Sequence, residues 1–189
     1  MAAYKPSLFS SVDMLDPVLF TPEVVWAQRI MRKSGWWKRS RLVRSVAARR
    51  QQWPDEQQMT ASLQGKSLYK HWHPDALNEF VHFGTRPVAD GMALSCDPQW
   101  EASIFGSYPR GLWRAVRTIS TPVRIWAAED SYFFIRKSAQ KASKNTAINW
   151  FLFGQHHCFP MEEPQKTGQL LCEKLALSDS VKPLSNTIG

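Results

Sequence analysis

The sequence predicts an α/β protein: a short parallel sheet of about three strands with helices, plus an all-helical insert. Three observations carry this. Two apolar runs, residues 123–127 and 148–153, flank a helical pattern over residues 134–144, the order of a strand–helix–strand crossover. A third short run, residues 11–15, ends in Asp16-Pro17. Between the first run and the other two, residues 21–116 hold helical periods broken by Gly and Pro.

The elements follow in order. Ala2, Ala3 and Tyr4 read as the tail of a helix stopped by Pro6, and residues 11–15 as a strand. Thr21-Pro22-Glu23 starts a helix well, with a Thr N-cap, Pro in the first turn and an acid near the positive end; Ser34-Gly35 breaks it. A second helix is expected over residues 39–52 and a third over 55–63, with Trp53-Pro54-Asp55 between them. Residues 69–75 read as a turn. Pro74 restarts a helix to Phe83, with Leu77, Phe80 and Val81 inward. Residues 84–90 read as loop, 92–96 as an extended piece, and 98–105 and 112–116 as helices. Residues 148–153 form the last strand, and a helix over 163–175 carries Leu170, Leu171 and Leu175 on one side.

Composition bounds the function. A chain of 189 residues with 43% hydrophobic residues can bury a sizeable core, and no apolar run is long enough to span a bilayer. The N-terminus lacks the pattern of an export signal. Cys96, Cys158 and Cys172 are an odd, widely spaced set, which points to a reducing, cytoplasmic setting and not to a disulfide framework. The net charge of +8 is concentrated: Arg29, Arg32, Lys33, Lys38, Arg39, Arg41, Arg44, Arg49 and Arg50 are interleaved with Trp26, Trp36, Trp37 and Trp53. Such a segment can bind acidic partners, nucleic acid or a membrane surface. It can equally be a solvated face whose tryptophans pack inward under arginine stems. No nucleic-acid signature accompanies it. No cofactor motif is present, and His71, His73, His82, His156 and Cys158 lack the spacing of a zinc site.

The stretch around His157 is the chemical centre. It leaves the end of a buried strand and precedes a Pro-started helix, where open α/β sheets place their sites. A capped, half-buried turn histidine is the plain alternative. Gly154, His157, Pro160, Glu162 and Pro164 resemble the histidine loop of the α/β-hydrolases. Pro6, Leu8, Phe9, the strand and Asp16-Pro17-Val18 resemble the segment that follows the nucleophile's helix in that superfamily. Residues 53–105 resemble its cap: Trp53-Pro54-Asp55, Trp72-His73-Pro74, Gly84-Thr85-Arg86, then Leu94, Cys96, Pro98, Glu101 and Ala102.

The resemblance implies a partial α/β-hydrolase fold: core in residues 1–20 and 117–177, helical cap (lid) in 21–116, flexible tail in 178–189. It implies a triad in which His157 is the general base and an aspartate its partner. The acid's usual place, after the later strand, falls on Ser131 when Ala128 is aligned with the family's glycine, with Asp130 one residue short. The other place, after the earlier strand, falls on Asp16. Asp16 and Asp130 both stand as candidates, with Glu129 a distant third. The G-x-S-x-G nucleophile is absent. Gly65-Lys66-Ser67 and Gly106-Ser107 have the wrong context. The expectation is therefore a truncated or inactive ester-, amide- or C–C-bond hydrolase, or one with a mis-assigned start. It would act on a small ester-like molecule once completed, through self-association or complementation along the edge of strand 11–15. The competing expectation is a non-catalytic module that uses the basic, Trp-rich region.

Overall fold

The computed structural model describes residues 1–33 and 40–179. They form two compact units, Met1–Val18 with the chain from Arg114, and Leu19–Trp113.

The first unit is built on a parallel sheet of β1 (Val12–Leu15), β5 (Val123–Ala127) and β6 (Ile148–Leu152), in the order β1-β5-β6. β5 is central, which explains why Val123, Ile125, Trp126 and Ala127 are all buried, with Arg124 as its one charged residue. Helix α7 (Phe133–Ala142) makes the crossover from β5 to β6. It buries Ile135, Ser138, Ala139 and Ala142, whose spacing puts them on one face against both strands. Register is reinforced at Asp13, opposite Arg124. The Asp13 carboxylate accepts bonds from Arg124 Nε (2.7 Å), an Arg124 terminal nitrogen (2.6 Å) and Trp126 Nε1 (2.9 Å). Hydrogen bonding from Arg124 is the main reason the Asp13 carboxyl is held below its usual range; burial opposes this, and Trp126 and the guanidinium charge assist it. The Arg124 guanidinium is correspondingly raised, chiefly by its bond to Asp13. Among the described residues, β1 has a strand on one side only.

The expected N-terminal helix tail is a single turn closed by the Tyr4 and Lys5 N–H groups on Met1 O, followed by a 3-10 turn at Pro6–Leu8. Pro6 has no N–H with which to continue a helix. After β6 come α8 (Phe159–Glu162) and α9 (Pro164–Asp179). Of the predicted leucine side of α9, Leu170 packs against Trp126, Ala128 and Phe159, whereas Leu175 is exposed. The expected tail lies outside the described residues from 180 onward.

The second unit holds α1 (Pro22–Lys33), α2 (Arg41–Ala47), α3 (Glu56–Leu63), α4 (Pro74–Phe83), α5 (Pro98–Phe105) and the start of α6 (Leu112–Thr118). It is not all-helical. Strands β2 (Gln52–Trp53), β3 (Thr85–Val88) and β4 (Gly91–Leu94) form an antiparallel sheet in the order β2-β4-β3. The Asp90-Gly91 step closes the β3–β4 hairpin. Gly91 has φ of 120°, and a Cβ there would lie 2.3 Å from Trp53 O, so only glycine fits. Pro87 argues against a strand in sequence but is tolerated because β3 is an edge. Trp53, Met59, Leu63, Tyr69, Leu77, Val81, Met92 and Leu94 form the core.

The helix expected over residues 39–52 is only Arg41–Ala47, because Gln52 and Trp53 pair with Ala93 and Met92 instead. The inward packing expected of the tryptophans holds for Trp53, which is 2% exposed and stacked by Arg50 at 5.2 Å, and not for Trp26, which is 66% exposed. Trp36 and Trp37 lie outside the described residues.

Candidate active site

The C-terminal ends of the three parallel strands bring together Asp16 after β1, Ala128 and Ser131 after β5, and His157 after β6. Ligands of open parallel sheets bind at this end.

Asp16 is placed by backbone and side chain together. Its N–H donates to Trp126 O (2.7 Å), and its φ of 39° lies in the left-handed region, which Asp visits more readily than most residues. The side chain is fully buried. A carboxylate only accepts, so each of its contacts is a donor. Oδ1 takes the Ala128 N–H at 2.8 Å. Oδ2 takes both the Ser131 hydroxyl and the His157 Nδ1–H, the latter at 2.6 Å. Fixing the proton on Nδ1 leaves the lone pair on Nε2.

The loop bearing His157 is held at both ends. Gly154 turns the chain out of β6 with φ of 75°. A Cβ there would come within 2.4 Å of Phe159 Cβ, so glycine is required. Phe159 is fully buried and meets the Phe153 ring edge-on at 5.4 Å. Gly154 O and Gln155 O accept the N–H groups of Glu129 (3.0 Å) and Asp130 (2.7 Å), tying this loop to the end of β5. Glu162 holds the neighbouring His156 at 3.0 Å.

The His157 ring remains one-third exposed, with Tyr132 packed edge-on at 5.2 Å. Among the described residues nothing hydrogen-bonds Nε2. The imidazole is thus held on its acid side and open on its base side. Such a group can accept a proton from a hydroxyl or water placed there.

The structure brings Asp16 to His157, and Asp130 elsewhere. Asp130 is exposed and its carboxylate accepts from Gln155 Nε2; Glu129 is exposed, with its carbonyl bonded by Arg136 at 3.1 Å. Ser131 has a contact that sequence reasoning did not foresee, although it occupies the position that the motif alignment gives to an acid. The two serines in glycine-flanked contexts belong to the other unit: Ser67 lies in a turn and Ser107 donates to Ile104 O (2.7 Å). His73 caps α4 through the Asp75 N–H, and His82 pairs with Glu56 at 3.0 Å.

Solved structures share this fold. An E-2-(acetamidomethylene)succinate hydrolase matches with a TM-score of 0.65 at 21% identity, over 93% of this chain and 60% of its own. An esterase of Mycobacterium tuberculosis matches at 0.64 and 17%, over 93% of this chain and 57% of its own. A peroxisomal α/β-hydrolase of Saccharomyces cerevisiae matches at 0.66 and 14%, over the whole of this chain and 52% of its own. This chain therefore spans little more than half the length of the structures it resembles. No family model and no curated protein matches the sequence. Among the described residues, no helix is long and apolar enough to cross a membrane.

Proposed function

We propose that this chain, whose fold is a partial α/β-hydrolase fold, carries the acid and base of a serine-hydrolase-type site and not its nucleophile. His157 is the general base. Asp16 fixes its tautomer and steadies the imidazolium that forms when Nε2 takes a proton. The observation that carries this reading is the 2.6 Å bond from His157 Nδ1 to a buried carboxylate, with Nε2 left open. By its resemblance to the family's cap segment, the Leu19–Trp113 unit corresponds to the cap of that fold.

The substrate class is a small ester-like molecule, in keeping with the esterase among the structural neighbours. Acyl transfer needs a serine and an oxyanion hole at Nε2. On this reading both come from a segment outside these 189 residues, docked along the open edge of β1 rather than by pairing with a second copy. The three free cysteines fit a reducing, cytoplasmic setting.

A fluorophosphonate probe tests this. The purified 189-residue chain is expected to remain unlabelled under conditions that label a working serine hydrolase. Stoichiometric labelling at any of its serines would contradict the assignment.

A further inference from the structure

The basic segment that the hydrolase reading leaves unused contributes to a cavity of about 530 Å³ within the Leu19–Trp113 unit. We propose that this cavity binds the phosphate group of a small organic molecule.

Its lining is rich in positive charge and free of negative charge. Arg32, at the end of α1, and Arg44, on α2, both line it, and no carboxylate is among the described lining residues. Arg32 is held over the Tyr108 ring at 5.4 Å, which orients its guanidinium without neutralising it. Arg44 has no ionic or hydrogen-bonded side-chain partner among the described residues. The carboxylate on the facing helix α5, Glu101, is already taken: both its oxygens accept from Arg49 Nη1, at 2.8 and 3.1 Å. Two exposed guanidinium groups lining one hollow raise its positive potential, and a concave wall concentrates their field.

The rest of the lining narrows the ligand. Ser103 and Ser107 spend their hydroxyl protons on Trp100 O and Ile104 O, which leaves the two guanidinium groups, with five N–H donors each, as the main donors. That donor excess suits the three terminal oxygens of a phosphate better than the two of a carboxylate. Val43, Ala47 and Ala102 form an apolar wall with room for a small organic group. The cavity volume falls in the range of small-molecule sites. The site lies within one unit and does not depend on the proposed catalytic pair.

The test is calorimetric and NMR titration of the whole chain with phenyl phosphate, inorganic phosphate and benzoate. Phenyl phosphate is expected to saturate below about 10 mM, inorganic phosphate more weakly and benzoate weakest. Arg44→Gln and Arg32→Gln should each weaken phenyl phosphate by about tenfold. Arg41→Gln, on the same helix as Arg44 but outside the lining, should leave it unchanged. Circular dichroism of each variant guards against misfolding. Three results overturn the proposal: no saturation by phenyl phosphate, benzoate binding as tightly, or Arg41→Gln weakening as much as Arg44→Gln. The last would mean diffuse surface charge and no site.

Discussion

Replacing Asp16 by Asn makes the most demanding test of the acid–base assignment, because the change is isosteric and its consequence is an identifiable proton. In the native chain Oδ1 faces the Ala128 N–H, while Oδ2 faces two donors, Ser131 and His157. An amide offers one accepting oxygen and one donating NH₂. The buried Ala128 N–H cannot turn away, and leaving it unsatisfied costs about 1–3 kcal/mol. The amide oxygen is therefore expected on the Ala128 side, with the NH₂ directed at His157 and Ser131. Nδ1 must then accept, so the ring proton moves to Nε2 and the outward lone pair disappears. The predicted readout is a switch of the neutral tautomer in the ¹⁵N spectrum of the His157 ring, with the fold intact.

Asp16→Ala has a different signature. It removes three hydrogen bonds to a charged acceptor and leaves the Ala128 N–H without a partner. The net loss expected is about 3 kcal/mol, since the cost of burying the carboxylate is recovered. Denaturant unfolding should show this as a lower midpoint at an unchanged slope. If Asp16→Asn leaves the Nδ1–H tautomer in place, His157 is not oriented by Asp16 and the reasoning fails, whatever happens to stability.

The remaining predictions concern the supports of that pair. Ser131→Ala should cost about 1 kcal/mol and shift the His157 Nδ1 proton resonance, because the two groups share Oδ2; an unmoved resonance would show that they are independent. Gly154→Ala should destabilise by roughly 3 kcal/mol, combining the penalty for a left-handed residue with the clash against Phe159, and thermal unfolding would report it. Asp13→Asn should cost about 2 kcal/mol by weakening the bond to Arg124 across β1 and β5. The sign with pH follows from the direction of the Asp13 shift. A carboxyl held lower in the folded state than in the unfolded chain contributes stability that is fully present above the unfolded value, near 3.9. That stability is lost as pH falls through the folded value. The wild-type advantage over Asp13→Asn should therefore shrink as the solution is acidified below the unfolded value, and a difference that does not fall with pH would refute the ion-pair origin.

The parts of the fold legible in the sequence are those set by local periodicity and burial. β5 reads as a buried strand because four of its five residues are apolar, and α7 reads as a helix because its buried residues recur at three and four positions. The histidine loop is legible for a related reason: Gly154 and Pro160 mark turn chemistry at a fixed distance from β6. What was not legible depended on pairing. The hairpin Thr85–Val88 with Gly91–Leu94 carries an Asp90-Gly91 signal, yet Pro87 reads as a breaker until one knows that β3 is an edge. Likewise β2 is only two residues long and exists because β4 lies beside it.

The choice between Asp16 and Asp130 turns on the same quantity. Both follow an apolar strand by a short step, and both are plain turn formers, so composition cannot separate them. The register of β1 on β5 sets Leu15 opposite Trp126, which carries Asp16 level with the point where β5 ends and delivers its carboxylate to the Ala128 N–H. Asp130, two residues beyond Ala128, is drawn instead to Gln155 by the backbone bond that ties the two loops. A shift of β1 by one residue would turn the carboxylate-bearing end to the opposite face of the sheet. Asp13 and Arg124 reinforce that register, so a largely buried ion pair on one strand face helps set which aspartate meets His157. It follows that Asp13→Asn should also loosen the Asp16–His157 contact, and the His157 Nδ1 proton resonance is where that loosening would appear.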